Sequence, residues 1–443
     1  MRLPEKPPFL KAQEPFIGLS NEIEKAGKLQ ELLDTNDNKY PFWETWKYLA
    51  REWGIPEKKV WAVVKASRAV NRQIKITSDP GFSFSLGTPS IVLQFLHEFD
   101  LNLGGSLQGE GIIPSENRDR YLISSLMEEA IASSQLEGAA TTRKMAKEML
   151  QEDRKPRNES EQMILNNYEG MKWIVENRQL PFTQANIRQL HSIITKNTLS
   201  QTSEEGAYRT DNQVKVVDVQ TGHTVYTPPS HERLEELMEQ FCKFANEITQ
   251  PSFFIHPILK GIFLHFLVGY IHPFSDGNGR TARTIFYWFL LKKGYWLIEY
   301  MSVSRIILAS KAQYARAYLH TEMDNNDLTY FLIYHLKCIQ TALEDLKKYV
   351  HRKTTEKKSM LKLLRHTSFN DRQIAVLQDI TQDNNLYFSV QQIQNRFGVS
   401  NQTARNDLTD LVTAGLMEFR KNGKRIDFFP VKDFTARISR NEK

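Results

Sequence analysis

The chain has 443 residues, 40% hydrophobic and 25% charged, and its 58 Lys and Arg against 52 Asp and Glu leave a formal net charge of +6. That composition supports packed cores and excludes a wholly disordered chain, and the length exceeds what one core usually holds, so two or three domains are expected. A charge of this size over this length does not by itself mark a nucleic-acid or membrane-surface protein.

The first residues, MRLPEKPPFL, lack the apolar run and small-residue cleavage site of a signal peptide. Cys242 and Cys338 lie far apart with no CxxC or metal-ligand spacing and read as core thiols of a reduced, intracellular protein. A cytoplasmic location is expected. Between residues 40 and 76 aromatic and charged residues recur at helical spacing, giving a helix that ends at Gly54 and another from Pro56. Gly, Ser and Pro breaks at 79–90 and 104–114 bracket a short helical piece. Residues 1–114 are therefore expected to form an N-terminal helical arm or subdomain.

Residues 115–350 predict a mainly α domain. RDRYLISSLMEEAIASSQLEG places Leu122, Leu126, Ala130 and Ile131 on one helix face and stops at Gly138. Helices follow over 161–177 and 183–196. The period then changes to about two over 214–230, which predicts a β-hairpin (213–228) with its turn near Thr221 and Gly222. Pro228 and Pro229 close it, and Ser230 is placed to cap the next helix. The apolar run 253–270 contains Pro257, Lys260 and two histidines, which favours a buried core helix over a membrane span. A helix over 280–292 and more helices over 304–350 complete the domain. The basic segment HRKTTEKKSMLKLLRH sets a boundary near residue 360.

Residues 360–443 have their own pattern: three helices (DRQIAVLQDI, SVQQIQNRF and QTARNDLTDLVTAGL), a tight GVSN turn, and two short strands around Asn422 and Gly423. This is the winged helix-turn-helix arrangement. Gln402, Thr403, Arg405 and Asn406 near the start of the recognition helix, with Arg420, Lys421, Lys424 and Arg425 in the wing, suit base edges and phosphates. Asp407, Asp410, Glu418 and Asp427 dilute that charge. DNA and protein are both candidate partners of this module.

The chemistry concentrates in IHPFSDGNGRTAR, residues 271–283. His272 precedes a proline, so the incoming helix should end there. Gly277 and Gly279 allow a tight turn and bare N–H groups at the next helix N-terminus, a place that binds anions. Arg280 and Arg283 in that first turn oppose the helix dipole unless an anion resides there, and a polyphosphate would satisfy both. Asp276 beside it suits Mg²⁺. His272 is then the natural general base for a hydroxyl nucleophile, and Phe274 the packing anchor. Two other readings compete. GNGRTA with Glu299 fits a loose dinucleotide fingerprint, which would have to follow a strand; His256, His265, His272 and Asp276 could form a transition-metal set.

HPFSDGNGRTAR matches every fixed position of HxFx(D/E)GNGRxxR and resembles the active-site motif of the Fic family of protein AMP-transferases. GAYRTDNQVKVV upstream resembles the family's flap. The resemblance implies a Fic-type helical core in which His272 deprotonates a target hydroxyl and Asp276 holds Mg²⁺. Gly277, Asn278 and Gly279 would form the anion hole, while Arg280 and Arg283 bind the outer phosphates of ATP. The hydroxyl oxygen then attacks the α-phosphorus, leaving AMP on the protein and releasing diphosphate. The flap, at Val214, Lys215, Val216 and Val217, would pair with an extended target segment.

SSQLEG, residues 133–138, similarly resembles the family's inhibitory signature (S/T)xxxE(G/N), at Ser133, Glu137 and Gly138, on a helix spanning about 119–138. It implies that Glu137 pairs with Arg283 and blocks productive placement of the γ-phosphate. The expected protein is thus an autoinhibited adenylyltransferase acting on an unidentified target protein, with homodimerisation open. The alternative is a DNA-binding transcriptional regulator whose Fic-like core senses nucleotide without transfer.

Overall fold

The computed structural model of the chain describes residues 3–8, 16–104, 118–151, 153–217, 222, 224–249, 251–365, 369–382, 386–422, 425–434 and 437. It is mainly helical, as expected, and divides into two compact units, residues 1–346 and 347–443.

The first unit opens with α1 (Phe16–Lys25), α2 (Leu29–Lys39), α3 (Trp43–Glu52) and α4 (Glu57–Ser67). Gly54 takes a φ of 69° just past α3, and Pro56 precedes α4, as the sequence indicates. An antiparallel hairpin precedes α5 (Ser90–Leu103): β1 (Arg72–Lys75) lies at the end of the stretch read at helical spacing and β2 (Ser83–Leu86) in the expected break, with Ile74 opposite Phe84. Four-residue strands are too short for their alternation to stand out from the Gly and Ser around them. Phe84 is fully buried and meets Phe263, Phe266 and Tyr270 edge-on, and Ser85 exchanges main-chain bonds with Asn326 and Leu328. This packing ties the hairpin to the rest of the first unit; residues 105–117, which include the end of the expected N-terminal arm or subdomain, lie outside the described residues.

Next come α6 (Arg118–Leu136), α7 (Arg143–Gln151), α8 (Glu159–Glu176) and α9 (Gln184–Thr195), the last two capped by the Asn158 and Thr183 side chains. The flap is β3 (Val216–Val217) paired with β4 (Thr224–Tyr226), shorter than the sequence alternation indicates, with a register irregularity between Val216 and Val217. Val214 and Lys215 precede the strand, and residues 218–221 lie outside the described set. Ser230 does not cap α10 (Leu234–Ala245): a 3₁₀ turn over His231–Arg233 intervenes. The Ser230 hydroxyl accepts from Asn212 Nδ2 instead.

α11 (Pro257–Ile271) starts at its proline rather than at residue 253, because Pro suits the first helical position and the His256 ring caps it. It is apolar and almost wholly buried, and it packs along α12 (Asn278–Lys292). Gly261 permits that approach: a Cβ there would lie 3.1 Å from Leu290 Cδ2. The unit continues through α13 (Val303–Ala309), α14 (Lys311–Met323) and α15 (Thr329–Arg365) as far as residue 346, the helix running on into the second unit. The expected boundary near residue 360 falls inside α15, since the basic connector carries no helix breaker and extends the helix to 37 residues.

The second unit contains α16 (Asp371–Gln382), β5 (Phe388–Ser389), α17 (Val390–Phe397), α18 (Asn401–Thr413), β6 (Met417–Asn422) and β7 (Arg425–Pro430). Its sheet has three strands in the order β5-β7-β6, one more than the sequence reading gave. Leu377, Ile393, Leu408, Leu411 and Phe428 pack its core. Asp407 does not dilute the surface charge: it is buried and accepts from Arg372 Nε at 2.7 Å and Asn370 Nδ2 at 2.8 Å. Gly423 and Lys424 lie outside the described residues. No described helix is long and apolar enough to cross a membrane.

Candidate active site

α11 ends at Ile271, and His272 closes it in the left-handed region (φ 51°, ψ 60°) with its N–H on Val268 O. The proline that follows favours an extended residue here; the helix-closing N–H bond of a left-handed cap outweighs that preference. Arg209 secures the turn. Its Nε donates to His272 O at 3.0 Å and its backbone N–H to Pro273 O at 2.9 Å, while the guanidinium also reaches Asp211 O and Pro229 O. Both ends of the flap are thereby tied to the loop that carries His272.

The His272 ring has Nδ1 3.2 Å from Gly269 O. This places a proton on Nδ1 and leaves Nε2 with its lone pair. Burial lowers the pKa of His272, against the upward pull of the Gly269 carbonyl and the Glu137 carboxylate. The ring is therefore neutral at pH 7 and able to take a proton.

The loop between His272 and α12 is held from beneath by a residue that sequence reasoning missed. His191 stacks on the fully buried Phe274 with ring centroids 3.6 Å apart, donates from Nε2 to Asp276 O at 2.9 Å, and accepts Gly206 N–H on Nδ1 at 3.0 Å. Burial pushes its pKa down to about 4, so it remains neutral. Its spacing in α9 resembles that of any core histidine, and only the fold brings it under the loop. Asn278 closes the turn from the other side, its side chain bonding both the N–H and the carbonyl of Phe274 at 3.0 and 2.8 Å. Gly277 has a φ of 77°, and a Cβ there would sit 2.7 Å from Thr195 Cγ2. His191→Ala should cost about 1–3 kcal/mol of stability through the unpaired Asp276 carbonyl. Thermal denaturation and nucleotide-binding assays should show both a lower Tm and weaker binding.

The two arginines of α12 differ in their surroundings. Arg280, expected at the outer phosphates, is fully buried: Nη1 donates to Ile194 O near the end of α9 at 3.1 Å and Nη2 to Asp276 Oδ2 at 3.3 Å. A helix C-terminal carbonyl and a carboxylate thus offset the cation's unfavourable position. Arg283 is also buried, but its Nη2 meets Glu137 Oε1 at 2.8 Å and Ser133 O at 2.9 Å, and its Nε meets Ser133 Oγ at 2.8 Å. Burial is the largest influence and works against its charge, yet Glu137, Tyr314 and Glu129 together hold the pKa above the ordinary arginine value. Glu137 lies just past the last residue of α6, before Gly138 (φ 100°). Its Oε1 abuts Gly279 so closely that a methyl group at 279 would collide with it. A carboxylate therefore occupies the mouth of the glycine turn.

α6 is pinned under this contact. Glu129, fully buried, accepts from Tyr287 OH at 2.8 Å, Ser302 Oγ at 3.0 Å, Ser304 N at 3.0 Å and the Ser304 hydroxyl.

A cavity of about 580 Å³ opens onto the site. His272, Asn278, Gly279, Arg283 and Glu137 form one side, and Val216 and Val217 of the flap also line it. Gly277 and Arg280 do not line it. Asp276 keeps a 60% exposed side chain. Val214 and Lys215 do not line the cavity. The competing readings lose their context here. GNGRTA follows a helix, not a strand, and among the described residues no group of three or more His, Cys, Asp or Glu could hold a metal. His256 instead bonds Asp100, and His265 bonds Tyr314.

One helical unit thus gathers an N–H-rich turn, a neutral histidine and a buried guanidinium around one cavity. Residues 181–290 match the Fic/DOC family and residues 372–426 the DeoR-like helix-turn-helix domain, so the chain carries a Fic/DOC domain with a DeoR-like helix-turn-helix toward its C-terminus. A curated protein adenylyltransferase Fic from Nematostella vectensis is 37% identical over 92 residues, 21% of this chain and 19% of the relative. One from Drosophila persimilis is 30% identical over 142 residues, 32% and 24% of the two chains. The matched stretches span between 14% and 25% of the length of these curated relatives. A Fic family protein from Desulfovibrio desulfuricans superposes with a TM-score of 0.53 at 17% identity, over 78% of this chain and 97% of that one, which speaks for the fold.

Proposed function

We propose that this protein is an adenylyltransferase that moves AMP from ATP to a hydroxyl side chain of a target protein, and that Glu137 holds it in a repressed state. The observation that carries the reading is the Glu137 carboxylate on Arg283 and against Gly279, across the same cavity as His272. An acidic side chain in a pocket built from N–H donors and a buried cation stands where a phosphate would bind.

In the transfer, His272 Nε2 takes the proton of the target hydroxyl, whose oxygen bonds to the α-phosphorus as diphosphate leaves. Asn278 and Gly279 present backbone N–H groups at the α12 N-terminus, and Arg283 meets the outer phosphate. Mg²⁺ would be held by Asp276, whose exposed single carboxylate suits an ion that takes its other ligands from phosphates and water; when bound it offsets charge on the phosphates. The flap contributes a short strand, with Val217 exposed, for pairing with a target segment. Incorporation of label from α-³²P-ATP but not γ-³²P-ATP into protein tests the reading, and label from the γ-position alone would replace it with phosphoryl transfer.

The acid limb of the pH profile, measured on Glu137→Gly, should have its midpoint below the usual histidine value of about 6.5. Burial lowers the pKa of His272, and the variant lacks the carboxylate that opposes this. A limb at or above that value would count against His272 as the base.

For the second unit we infer DNA as partner, since α18 exposes Gln402, Arg405 and Asn406 while Asp407 turns inward. Arg405→Ala should weaken binding to a selected duplex about tenfold. Absence of duplex binding by the unaltered protein even at low salt would remove the inference.

A further inference from the structure

The flap is a two-stranded ribbon of two residues against three, Val216–Val217 on Thr224–Tyr226, with a register irregularity between its pairs. A ribbon of that length is marginal in water by itself, so its direction is set by what it leans on. Two links at its β4 end lead to the turn of the β1–β2 hairpin. The Tyr226 hydroxyl donates to Tyr270 O at 2.8 Å, and the Tyr270 hydroxyl donates in turn to Gly81 O at 3.0 Å. Arg233, in the 3₁₀ turn that follows the flap, bonds Asp79 and lies over the Phe82 ring, 5.5 Å from its centroid. The hairpin turn is itself firmly held. Asp79 Oδ1 accepts the Gly81 N–H at 2.7 Å, while Asn326 Nδ2 donates to Gly81 O at 3.0 Å and to Ser83 O at 3.3 Å. Phe82 is buried edge-on against Tyr270, with ring centroids 5.5 Å apart.

We propose that the turn of the β1–β2 hairpin, residues 79–82, positions the flap and, through it, the target segment. Tyr270 and Arg233 are then target-positioning residues, although neither lines the cavity. The proposal rests on the reading that the flap pairs with an extended segment of the target, in which the added strand takes its direction from the strand it joins. Tyr270 stands two residues before His272 in the chain, and it meets the flap through its carbonyl and the hairpin turn through its hydroxyl. The base and the acceptor hydroxyl are therefore referred to one fixed point. A tilt of the ribbon moves the hydroxyl away from His272 Nε2, and a misplacement of about 1 Å can cost about a hundredfold in rate. The phosphate-binding groups Asn278, Gly279 and Arg283 do not take part in this support.

Combining Arg233→Gln with Tyr270→Phe in the full-length Glu137→Gly protein removes both links and keeps the ring at position 270. The pair is needed because Arg233 and Asp79 have side chains 34% and 33% exposed, and an ion pair so exposed contributes little alone. Hydrogen–deuterium exchange at residues 216–217 and 224–226 should quicken by about tenfold. Exchange in α11 and α12, and calorimetric binding of tripolyphosphate, should not change, which separates loss of support from loss of fold. Transfer of label from α-³²P-ATP to lysate protein, run as a dilution series, should need about tenfold more lysate for half-maximal labelling. Arg233→Lys with Tyr270 intact, which keeps the charge facing Asp79, should leave both readouts as they are in Glu137→Gly. Unchanged flap exchange in the combined variant overturns the support, and faster exchange with an unchanged lysate requirement overturns its role in placing the target; the transfer reading stands in both cases. If Glu137→Gly labels nothing, the transfer reading fails and target positioning fails with it, while faster flap exchange would still uphold the support.

Discussion

Glu137→Gly should raise incorporation of α-phosphate label into protein by about tenfold to a hundredfold over the unaltered chain. In the repressed arrangement a nucleotide must displace the Glu137 carboxylate from Arg283, and a hydrogen bond between charged groups is worth ~1.5–3 kcal/mol, which corresponds to that range. The carboxylate also fills the space at Gly279, so its removal frees both the cation and the N–H-rich turn. The substitution itself is mild, because position 137 lies beyond the last residue of α6 and loses no helix propensity. What it leaves behind is a buried guanidinium without its counter-charge, held only by Ser133. Such a group binds anions avidly because its unpaired state is costly. ATP should accordingly raise the Tm of Glu137→Gly more than that of the unaltered protein. Equal label incorporation by the two proteins, with equal ATP binding, would eliminate Glu137 as a brake.

His272→Ala in the Glu137→Gly background should reduce transfer by about 10²–10⁴, the usual contribution of a positioned general base, while ATP binding stays within about threefold. The separation follows from the geometry. The imidazole is anchored by Nδ1 to Gly269 O and contacts the phosphate-binding groups only across the cavity. The loop is held in place by the His272 backbone through Arg209, so removal of the ring leaves it seated. A double variant that transfers AMP as fast as Glu137→Gly would sink the base assignment, and one that loses ATP binding as well would show the ring to be a binding group.

The motif residues were legible in the sequence because the demand on them is local: a helix end, a turn with two glycines and a helix start all lie within thirteen positions. The Glu137–Arg283 contact bridges 146 residues, and spacing alone could not show it; it entered through a resemblance and is seen in space as a 2.8 Å bond. His191 and Arg209 were not legible. Each acts through backbone atoms of a loop 60 residues or more downstream, and neither sits in a pattern that distinguishes it from packing. Arg280 was read correctly as an anomaly in a helix's first turn, but its partner, a carbonyl at the end of another helix, belongs to the fold rather than to the motif. The β1–β2 hairpin escaped notice because its strands are short, and the long run of α15 because a basic helix surface and a solvated linker have similar composition.

Glu129 gives α6 a further property. With its carboxylate sunk among Tyr287, Ser302 and Ser304, α6 cannot leave without dismantling the centre of the domain. On the proposed reading, the repressing carboxylate and the site it covers are therefore made in one chain, in a ratio of one to one, and no imbalance of expression could separate them. On that reading, release would act on the end of the helix, Ser133 to Gly138, through side-chain rotation rather than through assembly and disassembly.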